Sequence, residues 1–232
     1  VPPCPGPILG HGPAGVGVLT NETRMNLALL VTVAIAMAVS AYRPHDWATW
    51  WLEVAPVLVV APVLVATYGR FRFTPLVYWL IALHALILIL GAHYTYARVP
   101  PGFWLQEALD LQRNHYDRLG HVAQGFVPAI VAREVLLRLT PLSRGAWLFF
   151  LVTCVCLACS AFYEMIEWWV ALVAGAEAEA FLATQGDVWD TQWDMFLALI
   201  GAIAAQLLLG GWHDRQLAAH GLAPAPAQQQ QR

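Results

Sequence analysis

Across 232 residues the chain is 59% hydrophobic and 12% charged, with a mean hydropathy of +0.57 and a formal charge of −3. Its 12 basic residues are all arginine, set against 15 Asp and Glu. A soluble domain carries about a quarter charged residues. The composition therefore excludes a soluble globular domain, a disordered chain, a disulfide-stapled secreted scaffold and a basic nucleic-acid binder, and leaves an integral membrane protein.

Taken in chain order, Val1 to Met25 is rich in Pro and Gly and lacks both a basic n-region and a cleavage site, which predicts an exposed leader rather than a signal peptide. Apolar segments follow at about 26–42, 50–67, 74–97, 119–139, 146–174 and 193–212. At 1.5 Å per residue most of them can cross a hydrocarbon core of ~30 Å. The expected fold is all-α: a polytopic transmembrane helical bundle of about six membrane-spanning helices. One transmembrane domain, 26–214, lies between the leader, 1–25, and a flexible tail, 215–232, whose Pro/Ala/Gln end is low in complexity.

Pro56 and Pro62 bend the second segment, for which full spanning is expected and a re-entrant path is the alternative. The fourth carries His121, Gln124, Arg133 and Glu134, and can span only if that face meets other helices or water. The fifth exceeds the needed length and is expected to tilt or project. Trp50, Trp51, Trp168, Trp169, Trp189 and Trp193 suit the two interfaces.

Arginine placement orients the chain. One side holds Arg24, Arg70, Arg72, Arg138, Arg144, Arg215 and Arg232; the other holds Arg43, Arg98, Arg113 and Arg118. That bias predicts both termini in the cytoplasm of a bacterial inner-membrane protein.

Whichever way up the bundle sits, its polar residues gather at one end. His93, Tyr94 and Tyr96 close the third segment; Asp110, His115, Asp117 and His121 lead into the fourth. Glu164 and Glu167 lie late in the fifth, and Asp187, Asp190 and Asp194 lead into the sixth. Asp117 and His121 are i,i+4, as are Asp190 and Asp194, so each pair shares a face if its helix includes both. Glu164 sits deeper than Glu167, and a carboxylate at that depth must be protonated, paired or bound to a cation. Carboxylates and imidazoles meeting at a point are ligands for Zn²⁺, Mn²⁺ or Mg²⁺, and such an ion would supply a Lewis acid and an activated water. His93, His121, Glu164, Asp187, Asp190 and Asp194 are the candidate metal ligands. Glu167 and Asp117 are candidates for general base or ligand orienter, and Arg118 for a contact with substrate phosphate. Taken singly, the loop acids could equally cap helices, and Arg118 could pair with Asp117 or a lipid phosphate.

Other signals point to structure. Cys154, Cys156 and Cys159 read as buried thiols in the fifth segment, and Gly201, Ala205, Gly210 and Gly211 as small residues for close helix packing. Arg133 and Glu134 diverge by about 100° on their helix, so each is expected to find its own partner or snorkel. His84 is expected to make a helix–helix hydrogen bond.

The stretches HYTYARVP (93–100), RNHYDRLGHVAQGFVPAIVARE (113–134), FYEMIEW (162–168) and QGDVWDTQWDM (185–195) resemble the YjdF-like inner-membrane proteins, a family of unknown function. More distantly, Asp117, Arg118 and His121, then Glu164, then Asp190, Asp194, Ala198 and Gly201 resemble a pattern of the VanZ-like membrane proteins, some of which are linked to glycopeptide-antibiotic resistance. In that pattern a Gln stands where this chain has Glu167, and an Asn where it has Ala198. The resemblance implies a shared scaffold.

The leading expectation is an outer-facing polar cleft that binds a divalent ion and acts on a lipid or lipid-linked phosphate, with membrane lipids as partners. The alternatives are a non-catalytic binding or protective protein for a cell-envelope ligand and a small transporter, which needs a polar path through both leaflets.

Overall fold

Thr20 accepts the backbone N–H of Thr23 and starts α1 (Asn21–Ser40). Asp46 accepts that of Thr49 at 2.7 Å and starts α2 (Trp47–Thr67); this backbone donor holds the Asp46 carboxyl below the usual carboxylate range. Pro75 opens α3 (Pro75–Tyr94), where a missing N–H forfeits no helical bond. A single 3₁₀ turn at Tyr96–Arg98 and the short α4 (Pro100–Ala108) lead to α5 (Tyr116–Leu139), whose first N–H is taken by Asn114 Oδ1 at 3.0 Å. α6 (Ala146–Ala174), α7 (Glu179–Leu182) and α8 (Asp190–Ala219) complete the computed structural model, which describes residues 20–175 and 179–222. Among the described residues there is no strand, as the all-α expectation requires.

α1, α2, α3, α6 and α8 are each long and apolar enough to cross a membrane. α5 has the length, 24 residues, but carries Asp117, Arg118, Arg133, Glu134 and Arg138. It resolves that conflict by position: α3, α6 and α8 pack around it and bury both of its polar ends. α1 sits outside, against α3, with only Val33 and Ser40 buried.

Several boundaries and burials differ from expectation, each for a local reason. α2 runs unbroken through Pro56 and Pro62, which favours spanning over re-entry. α5 and α8 begin three residues before their apolar segments, because their polar first turns are helical too. α8 also continues to Ala219, into the expected tail, since Leu217 is fully buried in the core. The leader expected at 1–25 lies outside the described residues except for Thr20 and the first turn of α1, as does the tail beyond 222. Trp50 is buried, donating its indole N–H to Ser40 Oγ at 3.1 Å, while the other five tryptophans expected at the interface are exposed. Only Cys156 of the three thiols in α6 is buried; Cys154 and Cys159 face outward.

At the end of the bundle opposite the site, a second polar cluster closes around Glu134, which is fully buried. Its carboxylate accepts from Thr74 N–H (3.1 Å), Thr74 Oγ1 (2.7 Å), His213 Nε2 (2.9 Å) and Arg138 Nη1 (2.7 Å). Arg133 Nη1 lies 2.9 Å from His213 Nδ1. A guanidinium only donates, so Nδ1 is the acceptor and the proton of His213 sits on Nε2, aimed at Glu134. Arg133 also pairs with Asp214 at 2.7 Å, and Arg144 joins it at 3.0 Å. Both Arg133 and Glu134 thus find partners on another element, as expected. Between this cluster and the site lies an apolar layer that includes Ala129, Ile130, Val152, Cys156, Ala202 and Ala205.

Candidate functional site

His121 is the centre of the other polar end. It lies one turn after Asp117 on α5, and its side chain is 8% exposed. Nε2 faces Asp117 Oδ1 at 3.6 Å and Asp194 Oδ1 of α8 at 3.8 Å. Nδ1 faces Glu164 Oε1 of α6 at 3.8 Å and lies 2.9 Å from Gln124 Oε1. With Gln124 Oε1 accepting from Nδ1, Nε2 is the nitrogen turned toward the two aspartates, and a neutral ring offers its unshared electron pair there to a cation.

The carboxylates around it are buried and incompletely partnered. Asp117 Oδ2, Asp194 Oδ1 and both oxygens of Glu164 are sealed from solvent without a hydrogen-bond partner among the described residues. Ser160 Oγ, one turn below Glu164 on the same stripe of α6, is likewise alone. Each such group is costly to leave unsatisfied. Asp117, His121 and Asp194 form one set able to hold a metal ion, and His121, Glu164 and Glu167 another; within each set the ligand atoms lie within 4.8 Å of one another.

The structure thus brings together five of the residues singled out from sequence: Asp117, His121, Glu164, Glu167 and Asp194. It places four elsewhere. His93 turns toward α1, its Nδ1 2.8 Å from the carbonyl of Ser40. Asp187 and Asp190 meet Arg113, at 3.3 and 2.9 Å, and Asp187 also takes Arg118 at 2.9 Å. Arg118 in turn lies over the Trp193 ring at 5.2 Å, so its charge is committed to the loop before α8. Among the described residues His84 does not make its expected hydrogen bond: its Nε2 is buried without a partner there.

Sequence reasoning missed two contributors. Glu53 of α2 is 4% exposed, faces Asp117 and His121, and takes a long hydrogen bond, 3.4 Å, from the Tyr163 hydroxyl. An acid inside an apolar run was the available signal, the same one that marked Glu164. Arg113 was counted only for topology, yet it ties the loop to the start of α5. Beside it, Gln185 grips the Asn114 backbone twice, accepting from its N–H at 3.1 Å and donating to its C=O at 2.8 Å. Arg113→Met should therefore cost about 2 kcal/mol, short of a fully enclosed pair because Asp187 keeps some water contact, and should expose residues 183–189 to protease. Unchanged proteolysis would refute this clamp.

Tyr96 fills the space beside Glu53, its ring seated on the bare backbones of Gly91 and Gly120. A Cβ on Gly120 would fall 2.8 Å from the ring, so a glycine is required at that contact.

The family model described as "Predicted membrane protein (DUF2238)" matches residues 25–215. The chain is 52% identical over 192 residues to the inner membrane protein YjdF of Escherichia coli (strain K12), an alignment that covers 83% of this chain and 92% of that relative. No solved structure matches. The likeness and the candidate spans together support a multi-pass inner-membrane location. With four-fifths of its length matched by one family model, the chain belongs to the DUF2238 family of membrane proteins.

Proposed function

We propose that the cleft around His121 binds a divalent cation and, through it, a lipid-linked phosphate. The observation that carries this reading is the ring of unpartnered, buried carboxylate oxygens on Asp117, Glu164 and Asp194 facing one imidazole. A cation satisfies those oxygens together, whereas three separate elements, α5, α6 and α8, would otherwise hold like charges in contact. His121 Nε2 and the two aspartates offer one nitrogen and carboxylate oxygens, a set suited to Mn²⁺ or Zn²⁺. In this single-ion reading Glu167, half-buried beside Glu164, serves as general base or ligand orienter. Arg118, tied to Asp187, is a positioning residue in this reading, and the ion takes the phosphate contact given to Arg118 on sequence grounds.

In this reading the arginine bias puts both termini in the cytoplasm, and the cleft then opens toward the outer leaflet. The apolar layer between the two polar clusters favours a one-sided cleft over a transport path.

Metal analysis of the purified full chain tests the ion. A bound divalent cation is expected, and Asp194→Asn or His121→Ala should weaken Mn²⁺ binding by about 100-fold or more. Gln124→Leu, which frees the Nδ1 proton, should weaken it about 10–100-fold. Wild-type protein that binds no cation sinks the reading. Incubation with a polyprenyl diphosphate in mixed micelles tests the substrate: Mn²⁺-dependent phosphate release supports turnover, retention without release supports a binding protein, and neither outcome removes the lipid-phosphate assignment.

A further inference from the structure

We propose that the same cleft has a second divalent-cation position, built on Glu164 and Glu167 and adjacent to the ion on Asp117, His121 and Asp194. This deepens the single-ion reading above and rests on it.

The donor geometry comes first. The two candidate sets share only His121. An imidazole whose Nδ1 proton is given to Gln124 Oε1, at 2.9 Å, has one electron pair left, and it points from Nε2 toward Asp117 and Asp194. The first ion uses that pair. Glu164 and Glu167 then form a set of oxygens on α6, spaced i,i+3 on one side of the helix. Oxygen sets of one or two carboxylates, completed by water and by phosphate oxygens, are the usual environment of Mg²⁺ and also accept Mn²⁺.

Charge is the second line. Asp117, Glu164, Glu167 and Asp194 carry four negative charges when ionised. One divalent ion leaves two of them, and a second balances the set. No arginine lies within 4.0 Å of these four carboxylates among the described residues, because Arg113 and Arg118 are taken by Asp187 and Asp190. Glu53 adds a further acid from α2, facing Asp117.

The third is Glu164 itself. Its side chain is 4% exposed and neither oxygen has a partner among the described residues, although it shares the second set with Glu167 and lies 3.8 Å from His121 Nδ1. Protonation would satisfy at most one of its two oxygens, through a neighbouring carboxylate such as Glu167, and would leave the other without a donor. An ion held between Glu164 and Glu167 gives those oxygens a partner. Two neighbouring cations are also the arrangement that holds both the attacking and the leaving oxygen of a phosphoester displacement, which fits a cleft whose arginines are committed elsewhere.

Titration of the purified full chain with Mn²⁺, read by electron paramagnetic resonance and by equilibrium dialysis, decides the matter. Two Mn²⁺ per chain are expected, with a spectrum broadened by coupling between neighbouring ions. Glu167→Gln should bind one ion and restore the resolved six-line signal of isolated Mn²⁺. A wild-type stoichiometry of one overturns the second position while the single-ion reading stands. A stoichiometry of zero overturns both. Two ions that persist uncoupled, or that survive Glu167→Gln unchanged, overturn the placement on Glu164 and Glu167. The wild-type count needs no variant to fold.

Discussion

Replacing Glu134 with alanine is expected to destabilise the protein by about 3–5 kcal/mol, the range for removing one partner from an enclosed charge network. Glu134 is fully buried and satisfies donors from three elements: Thr74 before α3, Arg138 on its own helix and His213 on α8. Without it the His213 N–H and the Thr74 N–H lose their acceptor, and Arg138 keeps only the carbonyl of Arg72 and the face of Phe71. Glu134→Gln retains acceptor oxygen for Thr74 and His213 but turns an amide toward Arg138, so a loss of about 1.5–3 kcal/mol is expected. Arg70→Ala, on an exposed residue of the same end, should stay within about 0.5 kcal/mol of wild type. Unfolding free energies in mixed micelles check the series. A Glu134→Ala protein as stable as Arg70→Ala would show that this cluster does not lock α3, α5 and α8 together.

The membrane-crossing helices were legible because an apolar run of span length has few other uses in a chain this hydrophobic. Their ends were less so. Hydropathy changes where the solvent changes, not where the backbone hydrogen bonds stop, which is why Asp190 and Tyr116 lie inside helices whose apolar stretches begin later. α4 left no comparable signal: nine residues, with Pro100 and Pro101 at its start, are too short to show a face.

The site divides along the same physical line. His121 and Glu164 were readable because depth makes an unpaired polar residue expensive, while i,i+4 spacing put Asp117 beside His121 and drew attention to Asp194 through Asp190. Glu53 met the depth criterion equally and was overlooked within its apolar segment. His93 failed for the opposite reason. Closeness to the polar end does not fix direction, and one step along a helix turns a side chain by about 100°; its ring meets Ser40 of α1 instead. The pairing of Arg113 with Asp187 and Asp190 joins residues 74 and 77 positions apart, and no local spacing encodes such a contact.

Gly125→Ala is expected to cost about 3 kcal/mol or more, the upper range for overpacking, because the obstacle is backbone. A Cβ on Gly125 would overlap the carbonyl oxygen of Ala198 and sit 2.6 Å from its carbonyl carbon; one on Gly201 would run into the carbonyl of Val122 and lie 2.9 Å from the Phe126 nitrogen. α5 and α8 therefore cross with their main chains in contact, each supplying a glycine where the other supplies peptide. Small residues were expected to pack here, and Gly201 does. Gly210 and Gly211 do not, having nothing within 4 Å of an added Cβ. Gly211→Ala should thus be neutral or stabilising by up to about 1 kcal/mol, as for alanine replacing glycine in an open helix. The crossing also sets the site, since α5 carries Asp117 and His121 while α8 carries Asp194, only 3.8 Å from the imidazole. Forcing the helices apart at Gly125, one turn below His121, widens that gap, so Gly125→Ala should lose Mn²⁺ affinity along with stability, and Gly211→Ala should lose neither. Equal stability and equal Mn²⁺ binding in the two variants would mean that the α5–α8 contact neither holds the bundle nor spaces the ligands.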